Sequence, residues 1–134
     1  MKDIFVKKEV TRDEFMLNRI TNCMGLPSPE VISYYDKILK LEKIDGMSVA
    51  DTYGDNDKST PKEIYDRIRL IIKELVKLSI CYPDITGYNF MIDKKDKLWI
   101  IDFGHAYVTN PGDNLDPFVK KFINGYDGWN PDFR

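Results

Sequence analysis

Histidine and cysteine are scarce, with one His and two Cys in 134 residues. With no clustered His/Cys spacing, the chain offers no ligand set for a zinc site. Cys23 and Cys81 each lie in an apolar segment that reads as helical, so both are expected to be reduced core thiols rather than a disulfide. An excess of charge of one sign is also missing. The formal net charge is -2, with both signs interspersed, which gives no electrostatic case for binding nucleic acid or a membrane surface. No apolar run approaches the roughly 20 residues of a membrane span. Charge interrupts Met1–Lys8 at once, unlike a secretory leader. A cytoplasmic location is the default expectation, and there are no internal repeats or low-complexity segments.

What is present suits one globular domain. The chain is 43% hydrophobic and 31% charged, the balance of a soluble protein with a real core. Residues Ile4–Val10 predict a strand of about five residues. Thr11-Arg12-Asp13-Glu14 has the form of a capping box. It opens a helix with Phe15, Met16, Ile20, Cys23 and Met24 expected on its inner faces, closed by Gly25 and Pro27. Val31–Tyr35 and Lys37–Ile44 read as a hairpin turning near Asp36-Lys37, and Asp45-Gly46 ends it. Residues 50–59 are polar and read as a surface loop. Thr60-Pro61-Lys62-Glu63 is a second capping box. It leads into the clearest helix, with Ile64, Ile68, Ile71, Ile72, Leu75 and Val76 at three- and four-residue spacing. A short helix is expected over Asp116–Ile123, stopped by Gly125. The tail Tyr126–Arg134 carries Trp129 and Phe133, which are expected to pack on their own domain.

The chain is organised around residues 82–104. Two short apolar runs, Phe90–Ile92 and Leu98–Ile101, flank the charged stretch 93–97 and predict a hairpin. Such a hairpin brings Asn89, just before its first strand, close to Asp102, just after its second. Asp84 lies on the loop leading in. Three oxygen-bearing side chains on braced loops suit divalent metal ions and a reacting hydroxyl.

The pattern of Asp84, Asn89 and Asp102-Phe103-Gly104 resembles the catalytic core of the protein-kinase-like superfamily. Asp84-Ile85-Thr86-Gly87-Tyr88-Asn89 looks most like the loops of atypical small kinases, such as the RIO family and the kinase of the KEOPS tRNA-modification complex. The resemblance implies an α+β, truncated protein-kinase-like fold. It has a small N-terminal sheet with one helix (1–46) and a reduced, mostly helical C-terminal lobe with the catalytic hairpin (47–134). It also implies ATP and Mg²⁺ as cofactors, with phosphate transferred to a hydroxyl of a protein Ser/Thr or of a small molecule. Asp84 would orient the hydroxyl, and Asn89 and Asp102 would hold magnesium. Tyr82 stands where many kinases have His. Either Lys7 or Lys8 would grip the phosphates, paired with Glu14 or, less aptly, Glu9. Glu14 also has a competing role in its capping box. Leu41–Met47 resembles the segment that joins the lobes, which places Glu42 and Ile44 beside the adenine.

The chain departs from that family in two places. No glycine-rich loop precedes the Lys strand, since only residues 1–6 are available. The segment after Gly104 lacks an Ala-Pro-Glu element and the helical subdomain that normally follows. A homodimer or partner that supplies the phosphate lid is therefore expected. The alternatives are a pseudokinase or nucleotide-binding adaptor acting through a partner, and a small-molecule kinase of the aminoglycoside or choline kinase type.

Overall fold

The computed structural model describes residues 3–133; the outer ends of the expected unit, 1 and 134, lie outside them. Ile4, Phe5 and Val6 favour extended backbone, and they form β1, Ile4–Lys7. Two further strands follow, β2 (Val31–Tyr35) and β3 (Ile38–Glu42). The sheet runs β1-β3-β2, antiparallel throughout. Asp36 and Lys37 turn the hairpin with φ of 52° and 59°, the two left-handed residues that match strand twist in a tight turn. Val10, Leu39 and Leu41 make a small core with Phe15, Val31 and Tyr34 packed on it.

Helix α1 spans Arg12–Cys23, and Thr11 caps it by accepting from the Glu14 N–H at 3.2 Å. Its inner face differs from the expected one. Glu14, Leu17, Asn18 and Thr21 are buried. Ile20, Cys23 and Met24 are exposed, and Phe15 and Met16 are half-buried. The polar stripe can face inward because its groups find partners. Asn18 Nδ2 donates to the Pro29 carbonyl at 2.9 Å, and the Thr21 hydroxyl donates to that of Leu17 at 2.7 Å. A buried polar group with a partner loses little. The apolar residues of α1 alone therefore do not mark its inward face.

The second half begins with β4 (Gly46–Ser48), so Gly46 belongs to the second sheet and not to the first. Residues expected as a loop fold instead into α2 (Val49–Tyr53) and a 3-10 turn at Asp57–Ser59. Ser48 caps α2 by accepting from Asp51 N–H at 3.0 Å, while Val49 and Ala50 are buried. Helix α3 covers Lys62–Lys77 and buries Ile64, Tyr65, Ile68, Ile71, Ile72 and Leu75 in the main core. The second capping box does not form. Pro61 occupies the N-cap position and no side chain caps the helix.

Cys81 lies in a two-residue strand, β5 (Ile80–Cys81), rather than in a helix. That strand pairs with β8 (Tyr107–Val108). Both cysteines are free, Cys81 buried and Cys23 exposed, so only Cys81 is a core thiol. The hairpin of β6 (Phe90–Asp93) and β7 (Leu98–Ile100) forms as the sequence predicts, pairing Phe90 with Ile100 and Ile92 with Leu98. Its turn is tied by Asp93, whose Oδ1 accepts from the N–H groups of Lys95 and Lys97. Helix α4 (Pro117–Ile123) and a final 3-10 turn at Pro131–Phe133 close the chain. Trp129 is buried with its ring 4.8 Å from that of Tyr65. The tail thus packs on its own domain, and the whole is α+β.

Candidate active site

Between the two sheets lies a cleft of about 360 Å³, lined by Lys7, Glu14, Asn18, Leu41, Glu42, Ile44, Gly46, Met91 and Asp102 among others. Its back wall is the connection from β3 to β4. Glu42 N–H donates to Glu30 O at 3.0 Å and Lys43 N–H to Asp3 O at 2.9 Å, fixing that segment to the rest of the first sheet. At Gly46 the connection presses against β6: a Cβ there would fall 2.2 Å from the carbonyl oxygen of Ile92. Only glycine lets the backbones approach that closely.

On the cleft floor, Lys7 Nζ meets Glu14 Oε2 at 2.5 Å and Asp102 Oδ1 at 2.9 Å. One ammonium therefore joins the strand, the helix and the turn after the hairpin. Burial alone would lower the Lys7 pKa, but hydrogen bonds to Glu14 and Asp102 outweigh it and raise it above its ordinary value. Burial likewise pushes the Asp102 carboxyl up. The Lys7 hydrogen bond, the Gly104 N–H and the Lys7 charge more than offset it and hold that carboxyl below its ordinary value. The structure does not bring Lys8 into this group. Lys8 is exposed and lies just past the end of β1. Glu9 is exposed too, with a left-handed φ of 57°. Glu14 fills only half of its capping box, because its carboxylate goes to Lys7 while its N–H bonds Thr11.

Asp102 has φ of 62°, an unfavourable left-handed conformation for a residue with a side chain. Buried Tyr82 over-determines it: the phenolic oxygen lies 2.5 Å from the Ile101 carbonyl and 2.8 Å from that of Asp102. Burial holds the Tyr82 hydroxyl well above its usual pKa, so it stays a donor. The hairpin does what its sequence implies. Ile101 N–H donates to the Asn89 carbonyl at 2.9 Å, which sets the residue before Asp102 against Asn89.

Asp84 and Asn89 are both buried. Asn89 Nδ2 donates to the Asp84 carbonyl at 2.9 Å, bridging the two ends of the loop. The loop is braced from outside by Ala50 N–H on the Gly87 carbonyl at 2.8 Å. Two residues outside the motif also hold it. Asn130, in the tail, donates from Nδ2 to the Pro83 carbonyl at 2.8 Å and from its backbone to that of Ile85 at 2.8 Å. His105 Nδ1 stands 3.1 Å from Asp84 Oδ2. Neither contact was read from the sequence. His105 carried one signal, its place directly after Asp102-Phe103-Gly104, whereas Asn130 carried none.

No group of three or more His, Cys, Asp or Glu side chains suited to a metal ion occurs among the described residues. Magnesium takes one or two carboxylates and completes its shell with phosphates and water. The donors offered are hard oxygens. Asp102 has committed only Oδ1, and the amide oxygen of Asn89 takes no hydrogen bond among the described residues.

Two small sheets closing over a Lys–Glu pair, with an Asp/Asn loop and an Asp-Phe-Gly turn on one hairpin, define a reduced protein-kinase-like fold. The chain belongs to the RIO domain family, whose model matches residues 2–121. It is 26% identical over 99 residues to the EKC/KEOPS complex subunit BUD32 of Encephalitozoon cuniculi, covering 74% of this chain and 48% of that protein. It is 31% identical over 70 residues to the 3-deoxy-D-manno-octulosonic acid kinase of Vibrio parahaemolyticus, covering 49% and 29%. Among solved structures it superimposes on the Cydia pomonella granulovirus kinase PK-1 with a TM-score of 0.63 at 16% identity, over 84% of this chain and 46% of that one. The Rio2 kinase–ADP/Mg²⁺–phosphoaspartate complex of Chaetomium thermophilum gives 0.65 at 19% identity, over 84% and 35%. The chain thus spans about half or less of the length of these relatives. No helix among the described residues is long and apolar enough to cross a membrane.

Proposed function

We propose that this chain is a minimal ATP-dependent phosphotransferase that moves the γ-phosphate of ATP to a hydroxyl, with a protein Ser/Thr as the first acceptor class. The observation that carries the reading is Lys7, held between Glu14 and Asp102 at the floor of a cleft. The two carboxylates fix the ammonium in place, and its third N–H is left to meet a phosphate oxygen. The adenine would lie against the backbone of Glu42–Ile44, and Lys7 with Glu14 would grip the α/β-phosphates. Asp102 and Asn89 would hold Mg²⁺, which neutralises phosphate charge when bound. Asp84 accepts the acceptor's proton as its oxygen bonds the γ-phosphorus and the bridging bond to ADP breaks.

The Rio2 neighbour was captured with ADP and Mg²⁺, which supports the same cofactors here. The likeness to a 3-deoxy-D-manno-octulosonic acid kinase favours a small-molecule hydroxyl as the second reading. We propose one unit whose smaller lobe ends at Lys43–Asp45, working in the cytoplasm with its thiols reduced. A second copy or a partner would supply the phosphate lid. β1 offers the edge for it, an outer strand whose Ile4, Phe5 and Val6 are half-exposed. A relative that is a subunit of a complex supports a partnered mode of action.

The test is Mg²⁺-dependent phosphotransfer from labelled ATP by the parent, Asp84→Ala and Asp102→Ala. Each substitution is expected to lower the rate by about 10²-fold or more, Asp84→Ala by removing a positioned base and Asp102→Ala by removing a metal-holding carboxylate. Equal rates in all three would overturn the reading. MgATP that stabilises the parent and Asp84→Ala alike, with no turnover in either, would support the adaptor alternative.

A further inference from the structure

Asp84 is nearly buried, and its backbone is well tied. Its carbonyl accepts from Thr86 N–H at 3.1 Å and from Asn89 Nδ2 at 2.9 Å. The carboxylate is another matter. Its one hydrogen-bond partner among the described residues is His105 Nδ1, 3.1 Å from Oδ2. A carboxylate can only accept, so the imidazole Nδ1–H donates. Oδ1 is left for a proton from elsewhere.

The imidazole has a second contact, although 61% of it is exposed. The ring of Phe133 meets it edge-on, centroids 5.0 Å apart. On the chain side, His105 sits in the turn that carries Asp102, closed by Gly104 N–H on Asp102 Oδ1 at 3.1 Å and Ala106 N–H on the Phe103 carbonyl at 3.1 Å. The turn that sets Asp102 therefore also sets the donor that orients Asp84. A hydroxyl must approach within hydrogen-bond reach of its base to be activated, and a carboxylate free to rotate spends only part of its time in that orientation.

We propose that His105 is a positioning residue for phosphotransfer: it locks the Asp84 carboxylate through Oδ2, leaves Oδ1 for the acceptor's proton, and couples that geometry to the Asp102 turn. This rests on the phosphotransferase reading above. His105 touches neither phosphate nor acceptor in this role, so its loss is felt in turnover and not in nucleotide binding.

The experiment compares the parent with His105→Ala and His105→Asn. The Asn amide nitrogen can take the place of Nδ1, so it retains the donor without the ring. His105→Ala is expected to lower kcat about 10- to 100-fold, the range for a small misplacement of a reacting group, with KM for ATP within about twofold. His105→Asn is expected to recover kcat to within about threefold of the parent. Equal losses in both variants would overturn the proposal, as would parental or faster turnover in His105→Ala. A second arm reads the contact without activity. His105 is the only histidine, so its ring proton resonances are single and should move in Asp84→Ala. Unmoved resonances overturn the contact. A parent that transfers no phosphate sinks the phosphotransferase reading instead, and the resonance arm tells the two failures apart.

Discussion

Lys7 Nζ lies 2.9 Å from Asp102 Oδ1, joining the first strand of one sheet to the turn that follows the last strand of another. Residues 95 apart in sequence thus share one charge-assisted hydrogen bond on the cleft floor. Lys8, just past the end of β1, is exposed and takes no part. Lys7→Met is expected to weaken MgATP binding about 10- to 100-fold, the worth of one or two hydrogen bonds to a charged group. Lys8→Met is expected to stay within about threefold of the parent, since an exposed lysine contributes little. Calorimetric titration of both variants checks this, and equal losses would put the wrong lysine in the site.

The same bond sets a pH window. Asp102 is held below its ordinary 3.8 in the folded state, so its contribution is complete above 3.8 and is lost as pH falls through the folded value. Lys7 is raised above its ordinary 10.5, so its contribution is complete below 10.5 and is lost as pH rises through the folded value. The stability difference between the parent and Lys7→Met should therefore be flat between these limits and shrink outside them. Urea unfolding at a series of pH values measures it. A difference that changes steadily across neutral pH would contradict the assignment.

Asn130 grips the Asp84–Asn89 loop at the residues before and after Asp84, through the carbonyls of Pro83 and Ile85. Asn130→Ala keeps the backbone bond but strands the buried Pro83 carbonyl, at a cost of about 1–3 kcal/mol. The loop should loosen with it. Phosphotransfer is expected to fall more than MgATP affinity does, because the cleft lining does not include Asn130. Turnover and titration on the same preparation separate the two. An equal fall in both would place the effect in global stability.

The placing of Asp84, Asn89 and Asp102 around one hairpin is legible in the sequence because a hairpin is local. The sequence leaves Lys7 and Lys8 open, because which of them reaches Glu14 of α1 depends on where β1 ends. The inward face of α1 was misread because Asn18 and Thr21 are satisfied by nearby carbonyls, so burying them needs no apolar side chain. Helix α2 was missed because it is one short turn held by a Ser48 cap, too brief for periodicity to register. Asn130 was missed because its contact with Pro83 spans 47 residues and leaves no local pattern.

Gly46 fixes the exit of the hinge. An added Cβ would sit 2.2 Å from the Ile92 oxygen and 2.7 Å from the Asp93 Cα, both backbone atoms that cannot rotate away. Gly46→Ala is expected to cost about 1–3 kcal/mol as an overpacked site, and to weaken MgATP because the displaced segment lines the cleft. Gly112→Ala is the comparison. There φ is 87° with nothing within 4 Å, so it costs about 1–2 kcal/mol of backbone strain and leaves nucleotide affinity unchanged. Melting and titration of both variants test the contrast.

Arg69 is a buried cation on the core side of α3. Its guanidinium donates to the Phe122 carbonyl at 2.7 Å, the Tyr126 carbonyl at 2.8 Å and Asp127 Oδ1 at 2.6 Å. It thereby joins α3 to the end of α4 and to the segment leading toward Asn130. With Asp66 Oδ1 at 2.6 Å as a fourth acceptor, the guanidinium meets four acceptors through a rigid fork of donors, a task lysine cannot perform. Breaking such a network from one side strands the Phe122 and Tyr126 carbonyls and leaves Asp66 and Asp127 with Lys62 alone among the described residues, so Arg69→Met is expected to cost about 3–5 kcal/mol. Arg69→Lys should recover little of it. Because Asn130 lies downstream of the clamp, residues 122–130 should also exchange their amide hydrogens faster than the hairpin in both variants. Hydrogen exchange with urea unfolding measures both effects. Uniform acceleration across the chain would show that Arg69 supports the whole core and does not anchor the tail to the Asp84–Asn89 loop.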